Sequence, residues 1–111
     1  MPTLRNRVVY VKNLSELKDQ IADNSICCVH FATEWCPPSK DMEAVINTMA
    51  RDFEDEVVFV HCDLDQVDEI LYEMPIKALP TVIIFRDSKG IGKIEGMKEL
   101  VIRDVLKKAL V

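Results

Sequence analysis

Residues 26–40 of the chain are ICCVHFATEWCPPSK. The first part, Ile26–Ala32, is almost continuously apolar, which is typical of a strand buried on both faces of a sheet. Pro37 and Pro38 interrupt this pattern. A helix is then predicted from about Ser39 to Phe53, because apolar side chains recur there at helical spacing. Cys36 is therefore expected to lie between a buried strand and the start of a long helix.

The rest of the chain predicts an α/β fold. Asn13 with Glu16 three residues later is an N-cap signal, so a helix is expected to begin at Leu14. Strands joined by helices pair in parallel, whereas the short turn at Asp87–Gly90 implies an antiparallel hairpin. We expect one domain over residues 1–111, with a mixed central sheet of about five strands flanked by about four helices. The other predicted strands are Val8–Val11, Val57–Cys62, Thr81–Phe85 and Ile91–Glu95, and the other helices are the one from Leu14 to Asp23-Asn24-Ser25, a short one at Asp65–Met74 and a last one at Met97–Leu110.

Composition and charge exclude several classes of protein. Hydrophobic residues make up 49% of the 111 residues, and 3 Gly and 5 Pro are too few for a disordered or collagen-like chain. The formal net charge is −5 and neither half of the chain is basic, so no nucleic-acid partner is expected. No apolar run is long enough to span a membrane and no export signal is visible, which predicts a cytoplasmic protein without a membrane partner.

Four cysteines stand at Cys27, Cys28, Cys36 and Cys62. In a chain without an export signal they are expected to be thiols rather than structural bridges. The three on predicted strands are interpreted as small core residues, with Cys28 on the same strand face as His30 and Cys27 on the opposite face. Their spacing does not match a zinc site, so neither a metal nor another cofactor is expected.

Cys36 differs from the other three because it precedes a predicted helix. The N–H groups at a helix start, together with the helix dipole, favour a thiolate over a thiol. Proline in the first turn loses no hydrogen bond, since those N–H groups have no partner within the helix. Trp35, a large aromatic residue in a tight loop, is expected to be partly exposed and available for contact. The pattern predicts a nucleophilic thiol.

Two segments resemble the thioredoxin family. Trp35-Cys36-Pro37-Pro38-Ser39 matches the family's active-site motif Trp-Cys-x-x-Cys except at its last position, and Ile76-Lys77-Ala78-Leu79-Pro80-Thr81 is similar to the segment that carries the family's cis-proline. Asp63-Leu64-Asp65 and Gly96 also fall where a thioredoxin has them. The chain is therefore identified as thioredoxin-like, and its Pro-Pro pair is similar to that of tryparedoxins and nucleoredoxins.

The resemblance implies a site and its partners. Cys36 would attack a substrate disulfide, and a groove formed by Trp35, Pro37, Leu79 and Pro80 would bind an extended substrate segment beside a cis Leu79–Pro80 bond. The substrates would be protein disulfides or glutathionylated proteins, with glutathione or a reductase as a further partner. No cofactor is implied.

Three residues depart from the family's pattern. Ser39 occupies the place of the second cysteine, and an alcohol cannot break a mixed disulfide as a thiolate does. His30 stands where thioredoxins usually carry a buried Asp, and His61 stands where they often carry a Lys. The two imidazoles are expected to face one cavity behind Ser39, with burial favouring the neutral form. They are interpreted as core histidines bonded to each other, a hydroxyl or water, in preference to a tuned acid–base pair.

Four functional interpretations stay open at this point. The first is an oxidoreductase that uses Cys36 alone and depends on an external thiol. The second is a redox-inactive module whose groove binds a partner peptide. In the third, Ser39 was engineered from a cysteine to trap mixed disulfides, so that the natural protein is a dithiol enzyme. The fourth is an iron–sulfur role like that of monothiol glutaredoxins. A Ser–His hydrolase is disfavoured, because no oxyanion hole or acidic partner is apparent.

Overall fold

A computed structural model describes residues 3–5 and 7–111 of this protein. It contains one mixed sheet. In that part of the chain it has six strands: β1 (Thr3–Arg5), β2 (Val8–Val11), β3 (Ile26–Ala32), β4 (Val58–Asp63), β5 (Thr81–Arg86) and β6 (Lys89–Glu95). Their order across the sheet is β1-β2-β4-β3-β5-β6. Strands β2, β4 and β3 are parallel, whereas β1, β5 and β6 run antiparallel to the neighbours they join. The five predicted strands are confirmed, and β1 is an additional short edge strand.

Four helices lie in the same described residues: α1 (Leu14–Asp23), α2 (Pro37–Asp52), α3 (Ile70–Glu73) and α4 (Glu99–Ala109). The predicted cap of α1 is confirmed, because Asn13 Oδ1 accepts a hydrogen bond from the Glu16 N–H at 2.9 Å. Helix α2 begins at Pro37, two residues earlier than predicted, since prolines fit a first turn whose N–H groups need no partner. None of these four helices is long and apolar enough to cross a membrane.

Two predicted helices are shorter in the structure. Helix α3 covers four residues instead of Asp65–Met74. The first residues of the predicted helix form a separate turn, in which the N–H groups of Gln66 and Val67 donate to the Asp63 carbonyl at 3.0 and 2.8 Å, and the chain is not helical at Val67. Helix α4 begins two residues after the predicted Met97. Gly96 has a φ of 89°, in the left-handed region that glycine tolerates, and its carbonyl accepts the Lys98 N–H at 3.0 Å.

The turn between β5 and β6 is also shorter than predicted. Only Asp87 and Ser88 form it, with φ values of 50° and 69°, so β6 begins at Lys89 rather than Ile91. Two residues with positive φ suit a tight hairpin, because their twist matches that of the flanking strands.

The core lies on both faces of the sheet. Helices α2 and α4 cover the face that contains Cys28, whereas α1 and α3 cover the face that contains Cys27 and Cys62. The predicted alternation along β3 is thus confirmed. All three of these cysteines are 0% exposed, which confirms them as core residues. Cys36 follows the end of β3, at the edge of the sheet where the parallel strands end.

Candidate functional site

Cys36 is the N-cap residue of α2. Its carbonyl accepts hydrogen bonds from the N–H groups of Ser39 and Lys40 at 3.0 and 3.3 Å, and its own N–H donates to the Thr33 carbonyl at 3.4 Å. These bonds fix the backbone on both sides of the residue. The thiol is not in a disulfide and is half-buried, so its sulfur is available for chemistry at the start of the helix.

The other three cysteines are poor nucleophiles in the folded chain. Burial raises the pKa of Cys27 and that of Cys62 to about 12, and the charge of Asp63 adds to the effect at Cys62. Burial, and then the neighbouring Cys27, also raises the pKa of Cys28. Because the thiolate is the reactive form, these thiols are both inaccessible and unreactive at neutral pH. Cys36 alone among the four cysteines has an exposed surface.

Ser39 is the third residue of α2, and its side chain is 1% exposed. Within the described part of the chain, its Oγ has no hydrogen-bond partner. The structure therefore holds a buried alcohol where the resemblance to thioredoxins puts the second thiol. An alcohol cannot form or break a disulfide bond, and the start of α2 therefore carries one sulfur, that of Cys36, rather than two.

His30 and His61 are paired residues of β3 and β4, and their ring centroids lie 5.3 Å apart in an edge-to-face arrangement. His30 is 0% exposed, and neither of its ring nitrogens has a hydrogen-bond partner among the described residues. Burial, and to a lesser extent His61, lowers the pKa of His30 to about 3. His30 is consequently a neutral imidazole at physiological pH.

Sequence reasoning missed two residues beside this pair. The ring centroids of Tyr10 and His61 lie 4.5 Å apart, and the Tyr10 hydroxyl donates a hydrogen bond to the Glu43 carboxylate. Glu43 follows Ser39 by four residues, a spacing that puts both on one face of α2. That spacing could have indicated Glu43, but the contact with Tyr10 depends on the register between β2 and β4, which pairs Tyr10 with His61.

The expected groove residues share one edge of the sheet. Trp35 is 70% exposed and Pro37 is exposed as well. Leu79 is half-buried, Pro80 is buried, and the peptide bond between them is cis. Pro80 directly precedes β5, whose first residue pairs with Phe31 in β3, so Pro80 lies beside the end of β3 from which the Cys36 loop departs.

A cavity of about 240 Å³ opens behind Ser39. Its walls come from the carboxyl ends of β2, β3 and β4 and from the first turns of α2, with Thr33, Ser39, Glu43 and His61 among the lining residues. The cavity is thus a polar space next to the backbone that carries Cys36. In the described residues, no three His, Cys, Asp or Glu side chains are grouped so that they could hold a metal ion.

The Thioredoxin family model matches residues 8–108. The chain belongs to the thioredoxin family. Mitochondrial thioredoxin-3 of Saccharomyces cerevisiae is 33% identical over 89 residues, which cover 80% of this chain and 69% of that protein. A thioredoxin of Mycoplasmoides gallisepticum is 36% identical over 84 residues, covering 76% of this chain and 83% of that protein. A solved chain from work on thiol resolution in yeast mitochondrial 1-Cys peroxiredoxin via glutathione/thioredoxin systems has a TM-score of 0.85 at 28% identity, covering 96% of this chain and 99% of that chain.

These matches confirm the resemblance and the fold of this thioredoxin-family chain. The matched region begins with β2 and ends within α4, so it includes every element that positions Cys36. That residues 1–111 form a single domain stays a prediction.

Proposed function

We propose that this protein is a thiol–disulfide oxidoreductase that works through the thiol of Cys36 alone. The proposal rests on the difference between Cys36 and Ser39 at the start of α2. Cys36 at the N-cap is half-buried and free, whereas the residue three positions later is a serine that is 1% exposed. Membership of the thioredoxin family supports redox chemistry at this position.

The reaction begins when the Cys36 thiolate attacks a substrate disulfide. One substrate sulfur becomes bonded to Cys36 Sγ, and the other leaves as a thiolate that takes a proton from solvent. Because Ser39 cannot attack, an external thiolate attacks Cys36 Sγ, displaces the substrate and remains bonded to Cys36. A second external thiol then attacks the sulfur of the first and frees Cys36. Two external thiols end as one disulfide, and one substrate disulfide is reduced.

The proposed substrates are protein disulfides or glutathionylated proteins, and the proposed external thiol is glutathione or that of a reductase. The similar yeast chain comes from work on thiol resolution via glutathione/thioredoxin systems, which supports this assignment. We place the protein in the cytoplasm, where glutathione keeps thiols reduced. The proposal involves no cofactor, nucleic acid or membrane.

The proposed substrate groove consists of Trp35, Pro37, Leu79 and Pro80. The exposure of Trp35, at 70%, supports a contact role, since a large aromatic side chain in water gains free energy when a partner covers it. Behind the groove, His30 is assigned a packing role. A pKa of about 3 leaves it neutral and too weak a base to take a proton from a thiol.

Mixed-disulfide formation with a glutathionylated peptide tests the proposal. We expect the wild-type protein to gain one glutathione at Cys36 and to lose it when free glutathione is added, with intact mass spectrometry as the readout. The matched control is Cys36→Ser, which should gain no adduct because the remaining cysteines are buried. An adduct on Cys36→Ser, or none on the wild-type protein, would overturn the proposal.

Ser39→Cys separates a monothiol enzyme from a dithiol enzyme that has lost its second cysteine. If Ser39 is the only defect, this variant should reduce insulin with a thioredoxin-reductase-type partner at a rate orders of magnitude above the wild-type protein. The wild-type rate in that coupled assay should be near background, since Ser39 cannot complete the cycle. An inert Ser39→Cys variant with a reactive Cys36 would implicate His30 and His61 instead.

A redox-inactive binding module is the second candidate, and the exposure of Trp35 favours it. A groove around the exposed Trp35 could hold an extended peptide without any sulfur chemistry. The two functions differ in their dependence on Cys36. Capture of partner proteins that persists in Cys36→Ser under reducing conditions would support the module, whereas capture that requires Cys36 and is reversed by reductant would support the oxidoreductase.

A further inference from the structure

Exposed apolar side chains are concentrated around the end of the sheet that carries Cys36. Of the ten large apolar side chains exposed in the described residues, six lie in the three segments that meet there. Single exposed apolar side chains are normal, whereas a concentration of them around one site indicates a surface that another molecule covers. The six are Trp35, Leu71, Tyr72, Met97, Leu100 and Val101.

The first flank of the groove is the connection from β4 to β5, residues 64–80. Strand β3 lies between these two strands, so the connection starts and finishes on either side of the end of β3. Its first residue is Leu64, whose N–H donates to the carbonyl of Ala32, the last residue of β3, at 2.9 Å. Within this connection α3 exposes Leu71 and Tyr72, the latter at 93%. The loop of the reactive cysteine therefore has exposed apolar side chains on this side.

The second flank is the turn from β6 into α4. The Gly96 N–H donates to the Pro80 carbonyl at 2.8 Å, so this turn lies against the cis-proline of the groove. Met97 follows in the turn, and Leu100 and Val101 belong to the first turn of α4. Leu100 is 81% exposed, because other residues of α4 form its core-facing side. The apolar surface of the groove thus continues onto the start of α4.

The charge of the first flank indicates what kind of chain binds. Asp65, Asp68 and Glu69 are exposed, and none of them forms an ion pair in the part of the chain that the structure describes. Lys77 is the single basic residue among residues 64–80. Unpaired carboxylates beside exposed apolar groups complement a partner that carries basic as well as apolar side chains.

We propose that both flanks belong to the substrate groove, and that its partner is a polypeptide segment with large apolar side chains on both sides of its cysteine and a basic residue next to them. Native proteins keep most large apolar side chains inside, so segments of this kind become accessible when a chain is not folded. The substrates are therefore disulfides of non-native protein chains. This inference rests on the proposed function, because it names the substrate class of the same site.

Binding is tested first with a peptide in which serine replaces the cysteine, so that no disulfide forms. The peptide has a leucine on each side of the serine and a lysine beyond one of them, and the fluorescence of Trp35 is the readout. The wild-type protein should bind it saturably. Leu100→Ser and Tyr72→Ser should each weaken binding by about tenfold, as expected when one large side chain no longer buries its apolar surface against the peptide.

The matched control is Leu4→Ser. It makes the same change in a leucine that is 67% exposed on β1, at the edge of the sheet opposite β6, and it should leave binding unchanged. Equal effects of Leu4→Ser and Leu100→Ser, or no saturable binding by the wild-type protein, would overturn the proposal. Sedimentation of the same samples tests the alternative occupant. A wild-type dimer that Leu100→Ser dissociates would assign this surface to a second copy of the chain instead.

Kinetics then tests the chemistry of the partner. The cysteine form of the peptide is joined to a chromogenic thiol in a disulfide, the Cys36 thiolate attacks the peptide sulfur, and the released chromogenic thiolate is followed. Serines in place of both leucines should slow the wild-type reaction by at least tenfold and remove the difference between wild type and Leu100→Ser. Glutamate in place of the lysine should slow the reaction at low salt but not at high salt.

Two results of these kinetics would contradict the inference. One is equal reactivity of the apolar and polar peptides, and the other is an equal effect of Leu100→Ser on both. Failure of the proposed function looks different, because Cys36 would then gain no adduct from any peptide disulfide while the serine peptide still binds.

Discussion

A short pulse of iodoacetamide at neutral pH is expected to alkylate Cys36 in the folded protein and to leave Cys27, Cys28 and Cys62 almost unlabelled. Burial raises the pKa of Cys27 and of Cys62 from 9.0 to about 12. At neutral pH the thiolate fraction falls tenfold for each unit by which the pKa rises, so these two thiols react about 1,000-fold more slowly than an accessible thiol of ordinary pKa. Since all three strand cysteines are 0% exposed, the reagent also requires a local opening of the sheet, which lowers their rate further.

The assay uses two labels. After the pulse the protein is unfolded and the remaining thiols are alkylated with an isotopically heavy reagent, so mass spectrometry gives the light fraction at each cysteine. No Lys or Arg lies between Lys18 and Lys40, and trypsin therefore leaves three of the cysteines in one peptide. Cleavage after Glu34 separates Cys36 from Cys27 and Cys28.

Two controls accompany the pulse. Cys36→Ser should take up almost no light label, and the unfolded wild-type chain should be labelled equally at all four positions. Labelling of a strand cysteine within about tenfold of Cys36 would refute the argument from burial, because it would require a thiolate that the raised pKa excludes. It would also make that cysteine a candidate for the step that Ser39 cannot perform.

Three further outcomes are expected. Thr33→Val should raise the free energy of unfolding by about 1 kcal/mol in urea denaturation, because it removes a buried hydroxyl without a hydrogen bond; a loss of stability would mean that the hydroxyl has a partner. His30 has a pKa of about 3 in the folded protein and 6.5 in the unfolded chain, so the unfolded chain binds more protons between these pH values. The free energy of unfolding should therefore decrease as the pH falls below 6.5, by at most about 1.4 kcal/mol per pH unit. His30→Leu should flatten this decrease above about pH 5, where carboxylates contribute little, and an unchanged slope would contradict a neutral buried His30. Trp35→Ala should slow the reduction of a protein disulfide by about tenfold, and the reduction of a small disulfide much less, with unfolding unaffected; equal slowing of both would show that Trp35 does not contact protein substrates.

Elements with a strong local signal could be predicted from the sequence. The apolar run Ile26–Ala32 predicted β3 with its correct bounds, because a strand buried on both faces needs no alternation. Helix α1 was predicted equally well, since Asn13 and Glu16 form its cap within one turn. In both cases the interactions that define the element lie within a few residues of one another.

Two elements lacked such a signal, although their contacts are also local. Strand β1 has three residues and exists through its pairing with β2, so its own composition gave no periodic signal. Helix α3 was predicted too long because the pattern of apolar residues does not reveal the break at Val67 between a first turn and the helix.

The candidate site has one part that a local motif predicts and another part that depends on residues from distant segments. Cys36 and Ser39 could be named from their motif, which is local. The contact of Tyr10 with His61 and Glu43 could not, because it joins three elements whose relative positions are set by the sheet register and by the packing of α2.

Trp35 is the single tryptophan of the chain and is 70% exposed. Its indole is already surrounded largely by water in the native state, so unfolding changes its environment little. A ligand that covers the groove, in contrast, removes the ring from water and from soluble quenchers. The intrinsic fluorescence of this protein is therefore a poor gauge of its folding and a direct optical signal of whether the surface next to Cys36 is occupied.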